Sequence, residues 1–249
     1  MTIQAEFDTF TVQLISRMYI INKDQLNLLE KNIYFALLQE IAQNNALSIT
    51  EAAKVCNCSP SKISKFVQKL GFKNYKEYLG FINGQAFSVV SEENERLQQF
   101  LENFNPDVVS QFADYLRKFE KIILFGYGPS FIVGQYFEYK LRSLLDIPIW
   151  AVPHETSIHD LIGENSLVVI FSVTGRFKSF SEIYENTIAK NSKVAFIVEE
   201  PCTEFLEKYN YTITLSSYLQ NPELLPHEKT RTTFFTFVEA VIKQLEYSK

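Results

Sequence analysis

Five short apolar runs in the second half of the chain constrain its fold more than any other feature of the sequence. Segments long enough for a helix separate the runs, which occupy residues 121–126, 147–152, 166–173, 193–198 and 211–215. Continuous apolar and β-branched runs of this length are typical of strands that are buried on both faces. The alternation therefore predicts an α/β domain over residues 106–249, with a five-stranded parallel sheet covered by helices.

The first third of the chain has a different pattern and predicts an all-α domain. Residues 24–44 carry apolar side chains at helical spacing, and "SITEAAKVCN" predicts a short second helix after them. A tight turn then leads into a third helix, whose N-cap is Ser59 and whose first residue is Pro60. Two short helices joined in this way, after a longer supporting helix, make a helix-turn-helix unit. We expect this domain to span residues 1–83 and a polar linker to span residues 84–105.

A basic block stands out in a chain whose net charge is −5. Between Ala52 and Lys76 the sequence has six lysines and neither Asp nor Glu. Apolar residues at 63, 66, 67 and 70 predict the buried stripe of the third helix, so we expect Lys62, Lys65 and Lys69 on its opposite, solvated face. A surface that needs only solubility more often mixes both signs. The block therefore indicates a polyanionic partner.

Double-stranded DNA is the expected partner, because the basic helix of a helix-turn-helix unit enters the major groove. Side chains near the start of this helix would lie near base edges and phosphates, and the other lysines would contact phosphates. The predicted DNA-binding residues are Lys54, Ser59, Ser61, Lys62, Ser64, Lys65, Lys69 and Lys73. A tri-helical module that binds another protein is the alternative interpretation of the same segment.

Two loops with glycine and hydroxyl side chains follow the first and third predicted strands. The sequence "GYGPS" covers residues 126–130 and "SVTGRFKS" covers residues 172–179. Ligands of parallel sheets bind beyond the carboxyl ends of the strands, and the amides at a helix start favour a phosphate. A dinucleotide site fits poorly, since Phe131 stands at the third glycine position of G-x-G-x-x-G. The loops predict one shared phosphate site, formed by Gly128, Ser130, Ser172, Thr174, Gly175 and Arg176.

Other features of the sequence argue against several protein classes. The first ten residues lack a basic segment followed by an apolar run, and no stretch reaches 18 apolar residues, so we expect a cytoplasmic protein without a membrane span. The three cysteines form no disulfide framework, and Cys56 and Cys58 lack a second pair of ligands for zinc. We therefore expect neither a metal nor a cofactor.

Both halves together resemble an RpiR-type transcriptional regulator, in which a helix-turn-helix domain precedes a sugar isomerase (SIS) domain that binds phosphosugars. The N-terminal half resembles the family through "LGF" at residues 70–72 and the aromatic Tyr75. In the C-terminal half, residues 126–130 match the GxGxS loop of the family. Ser172, Thr174 and Gly175 match three places of its SxSGxT loop, whereas Phe177 stands where the family usually has threonine.

The resemblance implies a regulator of sugar or amino-sugar metabolism, which binds an operator as a homodimer or tetramer and senses a phosphosugar. Phe177 removes a hydroxyl and adds bulk at the pocket, which weakens the implied phosphosugar binding. SIS domains also occur in aldose–ketose isomerases, and the candidate bases for such chemistry are Glu155, His227 and Glu228. The attached DNA-reading domain favours a sensor over an enzyme. A SIS domain that only dimerises the chain is the third alternative.

Overall fold

The computed structural model of the chain describes residues 19–43, 47–83, 93–202, 205 and 208–247. The strands are β1 (Tyr19–Asn22), β2 (Lys121–Phe125), β3 (Ile149–Val152), β4 (Ser166–Ser172), β5 (Lys193–Val198) and β6 (Tyr211–Thr214). The helices are α1 (Leu28–Gln43), α2 (Ile49–Val55), α3 (Pro60–Lys69), α4 (Tyr75–Ile82), α5 (Glu93–Glu102), α6 (Pro106–Leu116), α7 (Pro129–Leu141), α8 (Glu155–Leu161), α9 (Ser179–Ala189) and α10 (Thr232–Tyr247). Helices α1 to α4 form the α1–α4 unit, and the other elements form the sheet unit.

The sheet confirms the five predicted strands but corrects the prediction of a purely parallel, five-stranded sheet. Within the described residues it has six strands in the order β1-β6-β5-β4-β2-β3. Strands β2 to β6 are parallel to one another, whereas β1 pairs antiparallel with β6, with Tyr19 opposite Thr214. An uncovered β6 would present unpaired backbone groups, and β1 satisfies them. The sequence "YIIN" of β1 is too short to show a period.

Both faces of the sheet are covered, which explains why its strands read as continuous apolar runs. In β4, Leu167, Val169 and Phe171 pack in one core layer with side chains of α6, α7 and α10. The alternate residues Val168 and Ile170 pack in the second layer with side chains of α8 and α9. Because successive side chains of a strand point to opposite faces, all positions of β4 between its terminal serines are apolar.

Local capping signals set the helix boundaries of the α1–α4 unit. The Ser48 Oγ accepts a hydrogen bond from the Glu51 amide at 3.3 Å, and the Glu51 Oε2 accepts one from the Ser48 amide at 2.8 Å. This capping box selects Ser48 as the cap of α2. The Ser59 Oγ accepts the Lys62 amide, and Pro60 begins α3, as predicted. The turn between the two helices has Asn57 in the left-handed region, at φ 48°.

The structure also revises the expected organisation of the chain. Part of the predicted linker 84–105 is the helix α5, whose Phe100 lies in the core of the sheet unit. Strand β1, which falls in the predicted domain 1–83, pairs with β6 of the sheet unit. Residues 1–18 and 84–92 of these predicted segments lie outside the described residues. Polar composition suggested a linker, but α5 packs through partners that are distant in sequence.

Candidate functional site

A cavity of about 240 Å³ lies at the carboxyl ends of β2 and β4, which are neighbours in the sheet. The loops that follow these two strands form most of its wall, as predicted from the sequence. Of the predicted phosphate-site residues, the structure places Gly128, Ser130, Ser172 and Thr174 around the cavity. The cavity is therefore the candidate ligand pocket.

The first loop requires glycine for two different reasons. A Cβ on Gly126 would lie 2.8 Å from the Ser130 Cβ and 3.0 Å from the Phe171 carbonyl oxygen, which leaves no room for a side chain. Gly128 has φ +52°, a conformation that side-chain-bearing residues rarely adopt. The chain then enters α7 at Pro129 and buries Ser130, which is 2% exposed, with its hydroxyl beside the pocket.

The second loop is closed by its own hydroxyl groups. The Ser172 Oγ accepts a hydrogen bond from the Gly175 amide at 3.0 Å, and the Thr174 Oγ1 accepts one from the Arg176 amide at 3.4 Å. Gly175, one of the predicted phosphate-site residues, does not line the cavity, and its amide is used within the loop by Ser172. Each hydroxyl keeps its own hydrogen for donation to a ligand.

The positive charge of the pocket comes from Arg231, which the sequence analysis did not identify. Arg231 lies just before α10, and its Nε donates to the Ser130 Oγ at 3.3 Å. Its other nitrogens donate to the carbonyl oxygens of Lys229 and of Pro226. Burial lowers the pKa of Arg231 from its ordinary value, but a guanidinium stays charged. Arg176, which was predicted to belong to the phosphate site, is exposed and does not line the cavity.

Two aromatic rings form one wall of the pocket. The ring centroids of Tyr127 and Phe177 are 4.6 Å apart, and the Tyr127 hydroxyl lies 2.7 Å from the Ser179 Oγ. Phe177 is 38% exposed, so a ligand can reach its ring from the solvent side. Phe177 thus packs on a neighbouring aromatic ring.

Only one of the candidate bases for isomerase chemistry lies at the cavity. His227 lines it and is exposed. The Glu228 Oε2 instead accepts the Leu225 amide at 2.8 Å, and Glu155 begins α8 without lining the cavity. Among the described residues that line the cavity, none carries a carboxyl group.

The lysines of α3 do not share one solvated face, which corrects the prediction from the sequence. The Lys69 Nζ lies 2.7 Å from the Glu30 Oε2 and donates to the Gln25 carbonyl oxygen at 3.3 Å. Glu30 is buried, and its hydrogen bond from Lys69 lowers its pKa, with a smaller effect from Lys62. Lys69 and Lys62 therefore lie on the flank of α3 that faces the start of α1, although Lys69 is itself exposed, as Lys65 is, and only Lys62 is half-buried.

The other predicted DNA-binding residues are distributed around α2 and α3. Lys54, Ser59, Ser61 and Lys73 are exposed, and Ser64 is half-buried. Ser61, Lys65 and Gln68 follow one another at about one turn of helix, and all three are exposed. They form the outermost ridge of α3.

Among the helices that the structure describes, none is long and apolar enough to cross a membrane.

Residues 115–240, just over half of the chain, match the SIS domain family. The chain therefore belongs to this family, and the cavity lies between two of its strand-to-helix loops. No curated protein matches the chain in sequence.

Solved structures with the same fold include proteins of three bacteria. The NanR protein of Vibrio vulnificus, solved in complex with ManNAc-6P, is 13% identical with a TM-score of 0.53, over 90% of this chain and 88% of its own. The sugar isomerase domain of an RpiR transcription factor from Sphaerobacter thermophilus is 13% identical with a TM-score of 0.51, over 62% and 85%. A candidate sugar-phosphate isomerase from Listeria monocytogenes is 14% identical with a TM-score of 0.53, over 71% and 93%. At these identities the likeness shows the fold alone.

Proposed function

We propose that the chain is a DNA-binding transcriptional regulator of RpiR type, whose SIS domain senses a phosphosugar. The observation that carries this proposal is the cavity in which the hydroxyls of Ser130, Ser172 and Thr174 meet the Arg231 guanidinium. A similar fold in NanR, over 90% of this chain, extends the likeness to the N-terminal part, and NanR was solved with ManNAc-6P. The Sphaerobacter protein is a transcription factor.

The chemistry of the pocket suits a phosphate ester of a sugar. A phosphate accepts hydrogen bonds from hydroxyl groups, and Arg231 supplies the opposite charge next to Ser130. The start of α7 adds its favourable dipole to the same point. Tyr127 and Phe177 then offer an apolar wall to the carbon skeleton of the sugar.

The α1–α4 unit is proposed to be the DNA-binding part, with α2 and α3 as the helix-turn-helix. In this arrangement Ser61, Lys65 and Gln68 face the major groove, and Lys54 and Lys73 contact phosphates. A protein of this kind acts in the cytoplasm and binds two half-sites as a homodimer or tetramer. If the unit instead binds a protein, DNA binding will be absent at low salt.

Calorimetric titration with hexose, hexosamine and pentose phosphates tests the sensor. We expect one or more of them to bind the wild-type protein. Ser130→Ala should weaken binding about tenfold to a hundredfold, as expected for one hydrogen bond to a charged group. Phe177→Thr should tighten binding, because it adds a hydroxyl and opens the wall. Ser143→Ala, an exposed serine after α7, is the matched control.

The sensor proposal fails if no sugar phosphate binds the wild-type protein, or if Ser130→Ala binds as tightly as wild type. In that case the SIS domain is a dimerisation scaffold, and the chain should sediment as a dimer or tetramer at all ligand concentrations.

A phosphosugar isomerase is the second candidate function, and the position of His227 at the cavity favours it. Such an enzyme needs a base near the sugar carbons. Nuclear magnetic resonance of each sugar phosphate, incubated with the purified protein, will detect aldose–ketose conversion. Turnover that is lost in His227→Gln would establish the enzyme, whereas binding without turnover supports the regulator.

A further inference from the structure

A group of buried charges lies behind the pocket, at the carboxyl end of β5. Glu199 and Glu200 follow this strand directly, and they are 1% and 4% exposed. An isolated charge would be costly at this depth, so buried carboxylates need paired cations and hydrogen bonds. The identity of these partners shows which segments the two glutamates connect.

Glu199 connects β5 to the helix α5. Its Oε1 contacts the Arg96 guanidinium of α5, and Arg96 is 2% exposed. Arg96 also donates to both carboxylate oxygens of Glu93, at 2.9 Å and 2.7 Å. Its NH2 group donates to the Thr230 Oγ1 at 2.5 Å. The buried arginine therefore joins α5, the end of β5 and the segment that precedes α10.

Gln220 holds that segment from the other side. Its Nε2 donates to the Glu199 Oε1 at 3.0 Å and to the Thr230 carbonyl oxygen at 3.2 Å, and its Oε1 accepts the Thr230 amide at 2.8 Å. The Lys229 Nζ lies 2.5 Å from the Glu200 Oε1, which also accepts the Gln220 amide at 3.0 Å. Residues 229 and 230 are thus fixed on both sides.

The next residue in the chain is Arg231, which lines the candidate ligand pocket, so the group of buried charges extends to that pocket. Arg231 donates to the Lys229 carbonyl oxygen and to the Ser130 Oγ. Its guanidinium is also close enough to Glu199 for that carboxylate to raise its pKa against the effect of burial. If a ligand moves the Arg231 side chain, the movement would therefore be passed to the backbone of residues 229 and 230, which Arg96 and Gln220 hold in place.

We infer that Arg96 and Glu199 are positioning residues for Arg231, and that they couple occupation of the pocket to α5. Helix α5 is the first described element after the α1–α4 unit, so the coupling transmits the state of the pocket toward the proposed DNA-binding part. The identity of the ligand rests on the proposed function, whereas the connection between Arg231 and α5 rests on the contacts alone.

A purely structural role makes a different prediction. A buried ion network can often be replaced by neutral groups without loss of stability, because desolvation offsets its attraction. Paired neutral replacements in this network should therefore preserve the fold while they cut the connection. If the network serves only stability, the same replacements should loosen the whole sheet unit evenly.

Hydrogen–deuterium exchange of the full chain without ligand tests the connection from both ends. In Arg231→Met we expect the amides of α5 to exchange about tenfold faster, although Arg231 makes its hydrogen bonds to other segments. In the double variant Arg96→Met/Glu199→Gln we expect faster exchange at residues 126–131. Arg142→Met, which removes a surface arginine bonded to Glu138, is the control and should change neither region.

The inference is wrong if α5 exchanges normally in Arg231→Met, or if exchange rises evenly over β2, β4 and β5. If the double variant does not fold, Arg231→Met still decides, because that side chain is only half-buried. With glucosamine 6-phosphate and inorganic phosphate as probes, a ligand should protect α5 in the wild type but not in the double variant. If neither probe nor any other sugar phosphate binds, the proposed sensor fails, and the ligand-free comparison still decides the connection.

Discussion

Two lysines about one turn apart on α3 are expected to respond in opposite ways to replacement by alanine. Lys65 is exposed and makes no ion pair among the described residues, whereas Lys69 is bonded to the buried Glu30 and to the Gln25 carbonyl oxygen. If α3 reads DNA, Lys65→Ala should weaken DNA binding and leave stability unchanged. Lys69→Ala should weaken the fold and leave DNA binding nearly unchanged.

The magnitudes follow from burial and exposure. A hydrogen bond to a charged group contributes about 1.5–3 kcal/mol, but the Lys69 side chain is 43% exposed, so solvent screening reduces the cost of Lys69→Ala to about 1 kcal/mol. Lys65→Ala should change stability by less than about 0.5 kcal/mol. If Lys65 neutralises one phosphate, its loss should reduce the slope of log affinity against log salt by about 0.9.

The pH dependence of stability tests whether the effect of Lys69→Ala comes from the ion pair between Lys69 and Glu30. The pKa of Glu30 is lowered in the folded state, chiefly by its hydrogen bond from Lys69. The stabilising effect of the pair is therefore complete above the ordinary pKa of 4.5 and is lost as the pH falls through the lowered value. The difference in unfolding free energy between wild type and Lys69→Ala should therefore shrink at acid pH to the contribution of the hydrogen bond from Lys69 to the Gln25 carbonyl oxygen.

Urea unfolding and fluorescence anisotropy with a mixed-sequence DNA duplex, over a range of salt concentrations, measure both effects. Glu30→Gln is the matched control, because it releases Lys69 without removing it and should strengthen DNA binding slightly. The reasoning is refuted if Lys69→Ala reduces the salt dependence as much as Lys65→Ala does. That result would show that Lys69 leaves Glu30 to bind a phosphate.

Two further predictions concern the sheet unit. Gly126→Ala should destabilise the fold by about 1–3 kcal/mol in urea and abolish sugar-phosphate binding, since its Cβ would lie 2.8 Å from the Ser130 Cβ. Gly80→Ala, with nothing within 4 Å of its Cβ on α4, should instead stabilise slightly, and equal effects of the two would contradict the steric argument. Burial raises the pKa of Glu199 from 4.5 to about 7, so the folded state holds a proton that the unfolded state has lost between these pH values. Wild-type stability should therefore fall by about 3 kcal/mol as the pH rises through this window, and Glu199→Gln should not show this fall. If stability falls equally in wild type and Glu199→Gln, another group among the buried charges at the end of β5 causes the fall. The other charged residues there are Glu93, Arg96, Glu200, Lys229 and Arg231.

Local signals account for the parts of the fold that the sequence predicts well. The strands β2 to β5 carry apolar side chains on both faces and β6 is rich in β-branched residues, so each could be recognised without knowledge of its neighbours. The start of α3 follows from Ser59 and Pro60, whose effects act within one helical turn, whereas the structure selects Ser48 as the cap of α2. The position of the pocket follows from the rule that loops at the carboxyl ends of neighbouring strands meet.

The features that could not be predicted depend on contacts between distant residues. Strand β1 exists because β6, nearly 200 residues later, needs a partner at the sheet edge. Arg231 carries no motif, and only the folded chain brings it to Ser130. Lys69 looked available for DNA because Glu30, its partner, lies 39 residues away. The one signal that could have indicated the buried charges is "EEP", two carboxylates directly after the apolar strand β5.

The antiparallel strand β1 gives the α1–α4 unit a second attachment to the sheet unit. The α1–α4 unit leaves the sheet unit at Asn22 and returns to it at α5, so it is an insertion held at both ends. A protease site engineered into residues 84–92 would cut the covalent connection on one side only. The nicked protein should still migrate as one particle under native conditions, because the backbone pairing of β1 with β6 would retain the α1–α4 unit. A fragment that begins at residue 106 would lack this strand and leave β6 open to pairing with a second molecule.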